Sequence, residues 1–318
     1  MAKRKAAKAK AKARKKTTKA PAKRRAAKTV RRKAAPRAKA KKAARAKARP
    51  AAKKPAPKKS AAHSEGTWAW ADLVTTDVAD AKKFYSALFG WKTTDMPMPA
   101  GAPGFYTTLE LKGGTVGGMS QPTPEQMGGM PPHWNLYVSV DNVDATFAKA
   151  TANGAKPVMP PFDIPGVGRM AVFQDPTDAF LSIWQKDSPN PGFTVKEGTL
   201  GAFCWGELMT HDTARAADFY TKIFPWTKKV GSFGEHDYIE FQKGKDSVAG
   251  MMKIGADMGP MPPSWGLYFS VGDTEATVKT AEGLGAKVLV PPMDAEGVGR
   301  FAVLQDPQGA IFSVIKFG

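Results

Sequence analysis

Cysteine is nearly absent from this 318-residue sequence, in which Cys204 stands alone. An internal disulfide and a thiolate cluster for zinc are therefore excluded, and a reducing cytoplasm suits the chain. Acid is missing from one region altogether. Residues 1–62 contain none of the 28 Asp and Glu, no aromatic residue, and 28 of the 48 Lys and Arg. The remainder holds 20 basic against 28 acidic side chains, a net of −8, although the whole chain carries +20. Long apolar runs are lacking too. No stretch approaches the roughly 20 residues of a membrane span or the apolar segment of a secretory signal, so a soluble protein is expected.

What residues 1–62 do contain is Lys, Arg, Ala and Pro, with Val30 the only aliphatic side chain larger than Ala after Met1. Such a segment buries too little apolar area to offset the entropy of ordering it, and is expected to be disordered or transiently helical. An organelle transit peptide would need an apolar helical face that Ala barely provides. The composition is similar to linker-histone tails. It points to nucleic acid or another polyanion bound through counterion release, and the absence of aromatic residues removes base stacking and with it sequence preference. Acidic lipid and the chain's own acidic body are the other candidate partners. The expected location is cytoplasmic, with nucleoid association where the tail meets DNA.

The rest of the chain is large enough for two domains, each with its own core, and it repeats itself. "WADLVTTDVADAKKFYSALFGW" at 70–91 returns as "WGELMTHDTARAADFYTKIFPW" at 205–226. "PPFDIPGVGRMAVFQDP" at 160–176 returns as "PPMDAEGVGRFAVLQDP" at 291–307, with 12 of 17 positions identical. Two copies of one domain follow, at 66–187 and 198–318, joined by a linker at 188–197. The "GVGR" turns lack a third glycine and do not lead from a strand into a helix, which excludes a dinucleotide fingerprint.

Each copy divides again. In the first, a strand at 67–75 precedes a helix at 77–89, where Val78, Ala81, Phe84, Tyr85 and Leu88 recur at helical spacing. Thr76 or Asp77 can cap this helix and Gly90 can end it. Strands follow near 105–112 and 114–121. The second half repeats the order: strand 134–140, helix 142–153, strands 169–174 and 179–185. A short extra strand near Lys92 or Val158 completes a βαβββ module, so the fold class is α+β, with four modules paired into two domains.

Alternation along the strands separates two faces. Trp134, Leu136, Val138 and Val140 make an apolar set suited to packing under a helix, and Trp265, Leu267, Phe269 and Val271 match them. The opposite face carries Asn135, Tyr137 and Ser139 in one copy and Gly266, Tyr268 and Ser270 in the other. Trp70 and Asp72, matched by Trp205 and Glu207, extend that face. Aromatic walls with a few polar groups suit the concave lining of a small-molecule site, one pocket per domain.

The paired modules, the "FY" of the first helix (Phe84 and Tyr85, Phe219 and Tyr220) and the "DP" before the last strand (Asp175 and Pro176, Asp306 and Pro307) resemble the vicinal oxygen chelate superfamily. Glyoxalase I, bleomycin-resistance proteins and extradiol dioxygenases belong to it. The resemblance spans 66–318 and implies a curved sheet around a pocket in each domain, with a divalent metal held by His, Gln or Glu in the family's enzymes. The first-strand ligand positions it implies fall on Trp70, Asn135, Trp205 and Gly266, and the last-strand positions on Ser182 and Ser313. None is a strong metal donor, so no cofactor is expected, and His133, His211 and His236 remain as the candidates for a metal. Trp70, Asn135, Ser182, Arg169, Trp205, Ser313 and Arg300 are the expected ligand-binding residues. Asp72, Glu207, Tyr137 and Tyr268 can do acid-base work or orient a ligand by hydrogen bonds. The favoured expectation is a metal-free binder of a small molecule. The alternative is a divalent-metal-dependent lyase or dioxygenase with atypical ligands. Oligomeric state is not legible.

Overall fold

A computed structural model describes residues 63–98, 104–187, 192–233 and 236–318, without the side chains of Phe233, His236 and Asp257. The expectations for the basic tail, and for part of the linker, lie outside the described residues.

The first domain runs β1 (Trp68–Val74), α1 (Val78–Phe89), β2 (Lys92–Pro97), β3 (Phe105–Leu111) and β4 (Gly114–Ser120). After a single turn of helix, α2 (Pro124–Met127), it continues with β5 (His133–Ser139), α3 (Val143–Ala152), β6 (Lys156–Ile164), β7 (Gly168–Gln174) and β8 (Phe180–Lys186). The second domain repeats the plan: β9 (Phe203–Thr210), α4 (Thr213–Ile223), β10 (Thr227–Phe233), β11 (His236–Lys243) and β12 (Asp246–Lys253), then β13 (Ser264–Ser270), α5 (Thr274–Gly283), β14 (Lys287–Ala295), β15 (Gly299–Gln305) and β16 (Ile311–Phe317). Each domain is one eight-stranded mixed sheet, ordered β2-β3-β4-β1-β5-β8-β7-β6 and β10-β11-β12-β9-β13-β16-β15-β14. The two modules of a domain meet at an antiparallel seam, β1 with β5 and β9 with β13.

Local chemistry sets the helix starts. Asp77, Asn142, Asp212 and Asp273 each accept a hydrogen bond from the backbone N–H three residues on, satisfying a donor that the first turn leaves free. Gly90 ends α1 in the left-handed region at φ 74°. The extra strands are longer than the sequence suggested: β2 has six residues and β6 nine, and both are sheet edges. Pro157, Pro160 and Pro161 hide β6 from pattern reading, yet an edge strand tolerates them because its outer N–H groups need no partner.

The expectation of a separate core in each domain is corrected. The helix-side faces of the two sheets lie against each other, and one hydrophobic core holds Leu136, Val138 and Phe173 of the first domain together with Leu267, Phe269 and Phe312 of the second. Trp134 and Phe269 meet across the boundary at 5.4 Å between ring centroids, and Phe173 and Phe219 at 5.8 Å. Even the hydrogen bonds cross. Tyr85 donates to Asp306 Oδ2 at 2.9 Å and Tyr220 donates to Asp175 Oδ2 at 2.7 Å, so the "FY" of each domain bonds the "DP" of the other. Trp134 Nε1 and Trp265 Nε1 donate to those same phenol oxygens. Trp91 and Trp226, just past α1 and α4, complete the exchange by donating to the Gly201 and Gly66 carbonyls of the opposite domain. A single helix-side core leaves the two other sheet faces pointing outward, and those faces carry the candidate sites.

Candidate functional site

The strand register brings the predicted residues together. Asp72 lies opposite Asn135 across the seam, Trp70 opposite Tyr137, and Tyr137 opposite Ser182. In the second domain the same rungs pair Glu207 with Gly266, Trp205 with Tyr268, and Tyr268 with Ser313. Each carboxylate sits at the centre of its curved face and is buried, with Asp72 8% and Glu207 9% exposed.

Burial of a carboxylate demands donors. Asp72 Oδ2 accepts from Tyr137 at 3.1 Å and from Tyr106 at 3.4 Å, and Oδ1 accepts from Asn135 Nδ2 at 3.1 Å. Glu207 Oε1 accepts from Tyr268 at 3.0 Å and Oε2 from Tyr238 at 2.8 Å. Behind these, Trp70 Nε1 donates to the Tyr106 oxygen at 2.6 Å and Trp205 Nε1 to the Tyr238 oxygen at 3.1 Å. Ser182 and Ser313 hydrogen-bond the phenols of Tyr137 and Tyr268. The result in both domains is one chain of contacts: indole, phenol, carboxylate, phenol, serine.

Electrostatics follows from this geometry. Desolvation raises Asp72 above the ordinary carboxylate value, with Asn135, Tyr137, the charge of His133 and Tyr106 opposing it. Glu207 is raised for the same reason, opposed by Tyr238 and Tyr268. Burial and then the adjacent carboxylate push the phenols of Tyr106, Tyr137, Tyr238 and Tyr268 upward, so all four stay protonated donors at neutral pH. Cys204, beside Trp205 on β9, is pushed up to about 12 by burial and is no nucleophile at neutral pH.

Tyr106 and Tyr238 were missed by the sequence reading, as were the glycines that admit them. Tyr106 stands on β3 and must cross β4 to reach β1, and it does so over Gly118, where any Cβ would overlap its hydroxyl. Tyr238 crosses β12 over Gly250 under the same constraint. The signal was present, because both pairs recur at an offset of 132 within the repeat, Tyr106 to Tyr238 and Gly118 to Gly250. With these two the account of tyrosine closes: all six in the chain donate to a carboxylate.

Other predicted residues lie elsewhere. Arg169 does not reach the curved face. It donates to Asp144 of α3 and Asp163 of β6, both at 2.8 Å, and so ties the helix to the sheet edge. Arg300 is engaged likewise by Glu275 and Asp294. The alternation that turns Met170 to the curved face turns its neighbour Arg169 toward the helix, so neither guanidinium joins the Asp72 or Glu207 cluster. Arg300 does line a depression of about 610 Å³, together with Asp273, Glu275, Asp294 and Lys316 at the sheet end, and Glu207 is not among the residues of that depression. His133 opens β5, where Nδ1 lies 2.7 Å from the Pro131 carbonyl, and His211 is exposed in the turn before α4. The His236 side chain lies outside the described residues.

The metal that the fold family implies does not fit these residues. Indole, carboxamide, hydroxyl and glycine occupy the implied ligand positions, and the one nearby carboxylate in each domain already accepts from its own phenols. Among the described residues no three His, Cys, Asp or Glu gather closely enough to hold a metal ion.

Fold and repeat together define a tandem protein of paired βαβββ modules, and the comparisons place it. A family model of the Glyoxalase/Bleomycin resistance protein/Dioxygenase superfamily matches residues 67–181 and 202–314, and the chain belongs to that superfamily. "Putative glyoxylase CFP32" of Mycobacterium tuberculosis is 40% identical over 267 residues, covering 82% of this chain and 98% of its own. "Anthracycline biosynthesis protein DnrV" of Streptomyces peucetius is 36% identical over 263 residues, covering 79% and 93%. Among solved structures, the Mn(II)-bound glyoxalase from Novosphingobium aromaticivorans superposes with a TM-score of 0.55 at 14% identity, over 79% of this chain and 82% of that one. The 2,2',3-trihydroxybiphenyl 1,2-dioxygenase from Sphingomonas wittichii strain RW1 gives 0.55 at 11% identity, over 80% and 91%. At those identities the likeness is one of fold.

Proposed function

We propose that this protein binds an aromatic small molecule on its curved sheet faces through the hydrogen-bonded clusters of Asp72 and Glu207, without a metal. The carrying observation is the duplicate cluster itself: both domains build one hydrogen-bonded chain of Trp, Tyr, carboxylate and Tyr beside the positions where the resemblance implies metal ligands, and those positions hold Trp70, Asn135 and Ser182 in one domain and Trp205, Gly266 and Ser313 in the other. Half-buried rings of Trp70, Tyr106, Trp205, Tyr238 and Tyr268 rim the buried carboxylates, which suits stacking and hydrogen bonding of a flat ligand. A relative named for anthracycline biosynthesis agrees with a ligand of fused aromatic rings. The test is a titration of the full chain with a polycyclic phenol, followed by tryptophan fluorescence, beside a measurement of bound metal. Saturable quenching that survives a chelator and is lost in Trp70→Ala with Trp205→Ala supports the reading. One or two equivalents of metal, with binding or turnover lost to chelator, would establish the metalloenzyme alternative instead.

The basic segment adds a second activity to the proposal, the sequence-independent binding of DNA, RNA or another polyanion through residues 1–62. Its support is charge alone, 28 Lys and Arg with no acid. About ten phosphate contacts would cost roughly 10³- to 10⁵-fold in affinity between 50 and 200 mM salt. A shallower salt dependence, or binding unchanged by deletion of the segment, would refute it.

A further inference from the structure

The repeat supplies its own control experiment. In the first domain the Asn135 side chain fills the space across the seam from Asp72 and gives Oδ1 its donor. In the second domain the same rung carries Gly266, and a Cβ built there meets nothing closer than the Glu207 carbonyl oxygen at 3.8 Å. Glu207 is one methylene longer than Asp72. It also has fewer donors, one phenol on each oxygen, although a carboxylate offers about four acceptor positions. Two further differences open the second face. Trp184, whose indole covers Gly168 in the first domain, is replaced at the matching position by Ile315, and the linker's Phe193 lies 5.8 Å from Trp70.

We propose that the second domain is the binding site for a flat molecule bearing a carboxamide or lactam N–H, which takes at Glu207 the place that the Asn135 side chain takes at Asp72. The first domain is the internally satisfied copy. The ligand class follows from the substitution, because the chain itself shows that an amide fits this rung. Tyr268 and Phe301, with rings 6.2 Å apart, and Trp205 supply the aromatic walls. The proposal rests on the reading that the curved faces bind small molecules, and it adds which face and which donor.

Benzamide is the probe and acetophenone, which keeps the ring and carbonyl but has no N–H, its comparator. Calorimetry on the full chain should show one equivalent of benzamide bound, about tenfold tighter than acetophenone, as expected for one added hydrogen bond accepted by a carboxyl oxygen. Gly266→Asn, which supplies the amide from within, should abolish that binding. Asn135→Gly combined with Trp184→Ile, which gives the first face the second face's side chains at both positions, should raise the stoichiometry from one to two; it keeps the test decisive should the first variant fold poorly, and a stoichiometry of one in that folded protein would overturn the amide assignment. Equal affinity for the two probes, or benzamide binding that persists in a folded Gly266→Asn protein, would overturn the donor assignment while leaving a curved-face site intact if Trp205→Ala abolishes it. Binding of neither probe, with a polycyclic phenol still quenching the tryptophans, would show a water-filled notch at Gly266 and end the proposal alone. No binding of any aromatic compound would end both.

Discussion

The two halves of this protein are alike where they touch and different where they face solvent. On the helix side the matches are nearly one for one: Tyr85 with Asp306 against Tyr220 with Asp175, and Trp91 on Gly201 against Trp226 on Gly66. On the curved side the framework of Trp, Tyr, carboxylate and Tyr is kept, but Asp becomes Glu, Asn135 becomes Gly266 and Trp184 becomes Ile315. The difference separates two kinds of constraint. A buried shared core must keep its shapes and pairs on both sides at once, whereas a surface around a satisfied carboxylate can exchange side chains singly.

The comparison can be broken at the core first. Trp134→Ala and Trp265→Ala should each cost about 3–5 kcal/mol, since each removes a buried indole from the common core. Denaturant unfolding should show one cooperative transition for both variants, and two separate transitions would contradict a single core. Next in size, Gly118→Ala and Gly250→Ala should each cost about 1–3 kcal/mol by forcing the overlying tyrosine aside. The first should disturb only the Asp72 face and the second only the Glu207 face, which benzamide binding distinguishes. Tyr85→Phe and Tyr220→Phe fall in the same range of about 1–3 kcal/mol, because each strands a buried Asp oxygen and an indole N–H. Melting temperatures of the two variants should agree closely if the exchange between domains is symmetric.

A smaller effect concerns pH. Both central carboxyls have folded values raised above their unfolded ones of 3.8 and 4.5. A raised group contributes its stability fully below the unfolded value and loses it as pH rises through the folded value. Glu207→Gln and Asp72→Asn remove that loss, so the melting temperature of each variant relative to the parent should climb as pH increases from about 4 toward neutrality. A difference independent of pH would mean that these carboxyls titrate normally. Least of all, Arg169→Ala and Arg300→Ala should leave ligand binding unchanged on both faces, because both guanidinium groups belong to the helix side.

Much of this was legible in the sequence because it is written twice. The repeat gave the modules and strand alternation placed Asp72, Asn135 and Tyr137 on one face, as it did Glu207, Gly266 and Tyr268. Tyr106 and Tyr238 escaped because alternation was followed only along the central strands, while these phenols arrive from a strand two places away. A tyrosine that lies flat across a glycine leaves no local pattern, only the coincidence of two pairs at one offset. The shared core escaped for a different reason. Hydrophobic periodicity says that a face is buried but not what covers it, and the helix-side faces look the same whether they meet solvent-capping helices or a second sheet. The arginines of "GVGR" stand on the helix side because of the parity of the strands that carry them, which their charge alone does not show.

The hydrogen bonds that cross from each "FY" to the other domain's "DP" pair the two halves of this chain as the subunits of a symmetric dimer are paired. In a dimer of identical subunits any change to a site appears in both copies, so a gain at one is a loss or a duplication at the other. Fusion removes that coupling of inheritance. On one chain, Gly266 and Ile315 stand on one face while Asn135 and Trp184 stand on the other, with the pairing surface the same on both sides, so each face is free to change without its twin.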